Sequence, residues 1–179
     1  ELEHRVDQLI KNKAKNELIW FLEHPPVFTG GASHNSSDIL DKSISITKTS
    51  RGGKITWHGP GQLICYFVID LNKRGRDIRN FIYILEKSII KTLDEFNIKS
   101  KSDRKKIGIW HKSKKNISKV AAIGVRVKRW IAYHGFSLNV TNQLKDYEKI
   151  IPCGIYDRGV TNLTKIKKQN YSKLSLILE

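Results

Sequence analysis

The sequence predicts an α/β (α+β) fold in which helices flank a mixed central sheet. Three observations predict it. Residues 62–71 form a nearly continuous apolar run, the pattern of a strand buried on both faces. Residues 78–96 set Ile78, Phe81, Ile82, Leu85, Ile89, Leu93 and Phe96 on one face at i+3/i+4 steps, as an amphipathic helix does. Three β-prone segments then follow in succession, residues 107–110, 119–127 and 130–140. Such a mixture packs helices onto a sheet around one core.

The remaining elements follow in order. Residues 1–13 carry Leu2, Val6, Leu9 and Ile10 at helical spacing and read as a short amphipathic helix. Residues 17–22 read as a strand ended by Pro25-Pro26. Ser37 is placed to cap a short helix reaching Leu40, and residues 44–49 alternate as a strand should. A Gly-rich turn, Arg51-Gly52-Gly53, leads through an extended piece to Trp57 and a second turn, Gly59-Pro60-Gly61. Asp77 is the natural N-cap of the long helix. Lys128-Arg129 reads as the tight turn between the last two long strands. Residues 142–150 form a loop and short helix leading to Pro152-Cys153-Gly154, and the tail is polar and lysine-rich.

Composition bounds the function. The chain has 179 residues, 39% of them hydrophobic, which is enough for a packed core and argues for a single domain over residues 1–179. Two cysteines cannot build a secreted disulfide framework, which points to a reducing, cytoplasmic compartment. No apolar run reaches the roughly 18 residues of a membrane span. The chain opens at Glu1 and contains no Met, so an N-terminal piece is expected to be missing. A net charge of +16 attracts polyanions, whether nucleic acid, anionic membrane or an acidic protein. The basic residues are scattered apart from clumps at 99–106 and 112–115. No aromatic stacking platform is interleaved with them, which argues against nucleic acid.

Few residues offer chemistry. Cys153 lies in a loop between Pro152 and Gly154, where a thiol can be exposed and aimed; Cys65 lies inside an apolar strand, where a thiol is structural. No Cys-x-x-Cys or paired-His spacing suggests a metal site. His58 and His134 each adjoin a glycine and are the candidates for a Cys–His dyad. Lys119 begins an otherwise apolar strand and, on the residues alone, reads as a surface lysine. Arg51-Gly52-Gly53 lacks the Gly-Lys-Ser/Thr ending of a phosphate-binding loop, and the dinucleotide fingerprint is also missing.

The segment Arg51-Gly52-Gly53-Lys54-Ile55-Thr56-Trp57-His58-Gly59-Pro60-Gly61-Gln62 closely resembles the signature of the lipoyl(octanoyl) transferases. Collinear matches accompany it: Glu23-His24-Pro25-Pro26-Val27, residues 119–127, Tyr133-His134-Gly135-Phe136 and Ile151-Pro152-Cys153-Gly154. Together they span about residues 1–163. Departures are modest: Trp57 stands where Tyr is usual, Phe67 replaces a common Pro, and the family's opening strand is absent.

The resemblance implies a biotin/lipoate ligase-like fold, with Cys153 as the acyl-thioester nucleophile and Lys119 as its partner. It implies an acyl-substrate site lined by Arg51, Gly52, Gly53, Lys54, Ile55, Thr56, Trp57 and His58, by Ala122, Ile123 and Gly124, and by Gly135, Phe136 and Ser137. The activity implied is transfer of an octanoyl group from octanoyl-acyl carrier protein to a lysine of lipoyl domains, those of 2-oxoacid dehydrogenase complexes and the glycine cleavage H protein. No cofactor, metal or ATP is expected, and no nucleic-acid or membrane partner. The rivals are an ATP-dependent lipoate–protein ligase of the same fold and, more remotely, a basic nucleic-acid-binding domain.

Overall fold

These periodicities become architecture in the computed structural model, which describes residues 1–13, 16–114 and 116–174. Lys115 of the second basic clump and the last five residues of the tail lie outside the described residues. Helix α1 (Leu2–Ile10) leads to strands β1 (Leu18–Leu22), β2 (Val27–Gly30), β3 (Ile46–Lys48), β4 (Ile55–His58) and β5 (Gln62–Asp70). Helix α2 (Ile78–Glu95) follows, then β6 (Lys101–Ser102), β7 (Ile109–Lys112), β8 (Ile117–Lys128), β9 (Ile131–Asn139), β10 (Gly159–Val160) and one last helical turn, α3 (Leu163–Ile166).

The main sheet runs β1-β5-β9-β8-β7-β6, all antiparallel, with β10 added in parallel beside β8. A smaller sheet runs β3-β2-β4, with β3 parallel to β2 and β4 antiparallel to it. Helix α2 covers one face of the main sheet: Ile89 and Leu93 join Cys65, Phe67, Ala132 and Leu138 in the largest core cluster. Fully burying each of these two helix side chains contributes about 2 kcal/mol. Asp77 caps α2 as the sequence predicts, its carboxylate accepting from the Asn80 N–H at 2.9 Å, a bond worth about 1 kcal/mol. Helix α1 covers part of the opposite face, where Val6 and Leu9 meet Val68, Ile131 and Tyr133. Among the described residues, no helix is long and apolar enough to cross a membrane.

Three local expectations change. The β8–β9 hairpin turns at Arg129-Trp130, one residue later than predicted, because Lys128 still pairs with Ile131. Both turn residues have positive φ (48° and 64°), as a two-residue type I′ loop requires. Ser36–Asp38 form a single 3₁₀ turn capped by Asn35 rather than Ser37, since the Asn35 side chain accepts the Ser37 N–H at 3.1 Å. Strand β8 begins at Ile117, so Lys119 lies inside the strand and not at its edge.

One glycine is dictated by strand contact. A Cβ on Gly135 would stand 1.8 Å from the Cys65 carbonyl oxygen, so β5 and β9 approach there as only glycine permits.

Candidate active site

A cavity of about 640 Å³ opens where the middle of β8 and β9 meets the Gly-rich turn before β4 and the turn that carries Cys153. Arg51, Gly52, Gly53, Lys54, Thr56 and His58 line it from one side, and Lys119, Ala122, Ile123, Gly124, Gly135, Phe136 and Ser137 from the sheet. Cys153 and Gly154 close it. Chain segments about a hundred residues apart in sequence thus converge on one cavity.

Two of the expected lining residues do not face this cavity. Strand β4 alternates, so Thr56 and His58 point in while Ile55 and Trp57 point away. Ile55 and Trp57 are buried against Tyr147 and Ile150, with the Trp57 and Tyr147 rings 5.7 Å apart, edge to face. The Trp at position 57 therefore serves a separate core cluster and does not shape this cavity.

Cys153 is presented by backbone geometry. It takes a left-handed conformation (φ 57°, ψ 17°) inside the 3₁₀ turn Pro152–Gly154, and Gly154 is also at positive φ (64°). For a residue with a Cβ this costs about 1–2 kcal/mol. The surroundings hold the turn: the Ile151 N–H donates to the Asp38 carbonyl at 2.8 Å, and Gly154 N–H to the Ile151 carbonyl at 3.0 Å. Gly154 packs against Lys54, whose Nζ lies 3.5 Å from the buried Asp38 carboxylate. Cys153 is partly exposed and Cys65 buried. Burial pushes the Cys65 thiol up to about 12, so it stays protonated and unreactive.

Lys119 is not the surface lysine its context suggests. It is 6% exposed, and its Nζ donates to the Ile107 carbonyl at 3.0 Å and sits 4.8 Å from the centre of the buried Trp110 ring. Among the described residues no carboxylate pairs with it. Its charge is met by a carbonyl dipole and a π face, both weaker than an ion pair, and this leaves the ammonium available to another anion.

His58 and His134 are neutral near pH 7. Burial pushes His58 down to about 4, and burial with the nearby Arg51 charge does the same to His134. Neither carries the imidazolium charge that would stabilise a thiolate. The tautomer of His58 follows from a chain of bonds that starts at a backbone carbonyl. Asn139 Nδ2 donates to Thr161 O at 3.0 Å, which turns Asn139 Oδ1 toward Gln62 Nε2 at 2.7 Å. Gln62 Oε1 must then accept from His58 Nδ1–H at 2.7 Å, leaving the Nε2 lone pair free.

A depressed histidine also makes stability pH-dependent. Below the unfolded value of 6.5 the unfolded chain binds a proton that folded His58 refuses until about pH 4, so stability falls as pH drops through that window. His58→Gln keeps an N–H for Gln62 and cannot titrate. Its melting temperature is expected to fall less than that of the unsubstituted protein between pH 7 and 5, and equal drops would show that His58 keeps its proton in the fold.

The sequence did not single out several cavity residues. Ile64 and Tyr66 come from alternate positions of β5, a period that could have been read. Tyr66 OH also bonds His24 Nε2 at 2.7 Å. Ile78 and Ile82 come from the start of α2, and Lys105, Lys106 and Ile107 from a loop whose place depends on tertiary structure alone.

A family model, the lipoyl protein ligase A/B catalytic domain, matches residues 1–176. The chain is 44% identical over 167 residues to the octanoyltransferase of Anaplasma phagocytophilum (strain HZ), covering 92% of this chain and 80% of that protein. It is 45% identical over 166 residues to the octanoyltransferase of Wolbachia pipientis from Culex pipiens, with 92% and 80% covered. In fold it is similar to lipoate-protein ligase A bound with ATP (TM-score 0.71, 14% identity, 97% of this chain and 75% of that one). A bipartite lipoate protein ligase from Thermoplasma acidophilum is similar too (TM-score 0.73, 12% identity, 97% and 73% covered).

Proposed function

This chain belongs to the lipoyl protein ligase A/B catalytic-domain family and is an acyltransferase, and we propose that it moves an octanoyl group to a protein lysine through a thioester on Cys153. One observation carries this reading: Cys153, aimed by a left-handed turn, and Lys119, a buried lysine with no carboxylate partner among the described residues, open onto the same cavity. Ile64, Ile78, Ile82, Ile123, Val125 and Val127 supply its apolar wall.

The chemistry runs in two halves. The Cys153 thiolate attacks the carbonyl of an acyl thioester carried by acyl carrier protein. The tetrahedral oxyanion collapses, the carrier sulfur leaves as a thiolate and takes a proton from the Lys119 ammonium, which is left neutral, and the octanoyl group remains on Cys153. A free thiol is only a few per cent ionised at neutral pH, and the Lys119 ammonium favours the ionised form. An acceptor lysine then attacks as a neutral amine. Lys119, once neutral, receives the amine proton, the amide forms and the Cys153 thiolate departs.

Thioester exchange is nearly isoenergetic and thioester-to-amide conversion is downhill, so neither half needs nucleotide activation. The apolar wall sets chain length: at ~0.8 kcal/mol per methylene, six methylenes contribute roughly 5 kcal/mol, which favours octanoyl over very short chains. The acceptors are lipoyl domains of 2-oxoacid dehydrogenase complexes and the glycine cleavage H protein. Carrier and acceptor are acidic proteins, and the +16 charge of this chain speeds their encounter. A reducing cytoplasm keeps Cys153 free as a thiol.

The test is an intact-protein mass spectrum after mixing with octanoyl-acyl carrier protein without ATP. One octanoyl adduct, released by hydroxylamine, is expected. No adduct, together with ATP-dependent attachment of free octanoate or lipoate to a lipoyl domain, would make the chain a ligase instead.

A further inference from the structure

Arg51 is a half-buried cation with no counter-ion among the described residues. Nε and Nη2 donate to Thr29 Oγ1 at 3.3 and 2.9 Å, Nη2 also to the Thr29 carbonyl at 2.7 Å, and Nη1 to the Gly52 carbonyl at 3.0 Å. All of these acceptors are neutral. The fork is also fitted against Gly31, where a Cβ would come within 2.7 Å of Nη1. A side chain held this tightly keeps its charge in one place, at the edge of the same cavity as Cys153.

We infer that Arg51 is the fixed counter-ion of the Cys153 thiolate, a second cation beside Lys119, and so a positioning residue for the charge on sulfur. The step it favours is simple: the Sγ–H bond breaks, the electron pair stays on sulfur and the proton passes to water. Guanidinium suits this role because it stays protonated even where burial pulls it down, whereas a buried ammonium gives up its proton readily. The division of labour follows. Lys119 can become neutral to take the acceptor's proton, and Arg51 keeps the sulfur next to a positive charge while it does. Other charges in the cavity respond to Arg51 in the matching sense: it stabilises negative charge on Tyr66, and disfavours positive charge on His58 and His134.

The inference rests on Cys153 as the nucleophile, but its test reads the thiol itself and not transfer. The rate of Cys153 alkylation by iodoacetamide, followed by mass spectrometry from pH 5 to 10 in a Cys65→Ala background, gives the ionisation midpoint. Arg51→Lys and Arg51→Gln both lose the fork, and only the second loses the charge. The midpoint of Arg51→Gln is expected to rise by about one pH unit, with alkylation near neutrality about tenfold slower, while Arg51→Lys moves much less. Coincident midpoints for the lysine and glutamine variants would overturn the inference. If Arg51→Gln does not fold, Thr29→Val takes its place: it loosens the fork, so the midpoint must rise by a smaller step, and an unmoved midpoint overturns the inference equally. Failure of the Cys153 reading looks different: the unsubstituted protein then forms no octanoyl adduct, whatever Arg51 does to the titration.

Discussion

Replacing Cys153 by alanine is expected to lower octanoyl transfer by at least about a thousandfold, because the covalent half-reaction then has no nucleophile. Cys153→Ser should do little better, since a hydroxyl ionises far less readily than a thiol. Both variants should fold: the side chain is partly exposed, and its backbone strain belongs to the turn rather than to sulfur. Cys65→Ala separates the two thiols. That sulfur is buried and held protonated, so transfer should persist with only the stability loss of a small cavity. Steady-state transfer to a lipoyl domain, read by mass shift, distinguishes these outcomes. An inactive but folded Cys65→Ala beside a working Cys153→Ala would reverse the assignment of the nucleophile.

Lys119→Met should cost activity about a hundredfold or more without costing the fold, in line with what general acid–base groups typically contribute. Methionine matches the lysine stem in length, and a buried charge exchanged for an apolar group is often neutral or stabilising. The one loss is the contact of the ammonium with the Trp110 ring and the Ile107 carbonyl, at most about 2 kcal/mol. The melting temperature should therefore change by only a few degrees. The alkylation midpoint of Cys153 should rise, and release of octanoyl to the acceptor amine should slow more than formation of the adduct. Rates within twofold of the unsubstituted protein would remove Lys119 from the mechanism.

Much of this was legible where local pattern and tertiary role coincide. Helix α2 announces itself through Asp77 and a regular apolar face, and β5 through an unbroken apolar run. The hairpin was misplaced by one residue because Arg129 and Trp130 hold positive φ where glycine or asparagine is the usual sign. Ile55 and Trp57 were drawn into the site because a motif is contiguous, whereas a strand shows only every second residue to one side. Lys119 looked superficial because β8 begins two residues before it, at Ile117, with a polar start that hides the strand. The left-handed turn at Cys153 could not be read at all: flanking Pro and Gly signal a loop, but nothing in a cysteine signals that φ. The loop of Lys105–Ile107 joins the cavity only through folding at long range.

Thr161 links two parts of the site that share no side-chain contact. Its N–H donates to the Lys119 carbonyl at 2.9 Å, while its own carbonyl begins the chain of bonds that ends on His58. It follows Cys153 by only eight positions and continues the short parallel strand β10. The same stretch of backbone that delivers the sulfur therefore latches the lysine and sets which imidazole nitrogen is bare. A slip between residues 155 and 161 would therefore be felt both at Lys119 and at His58.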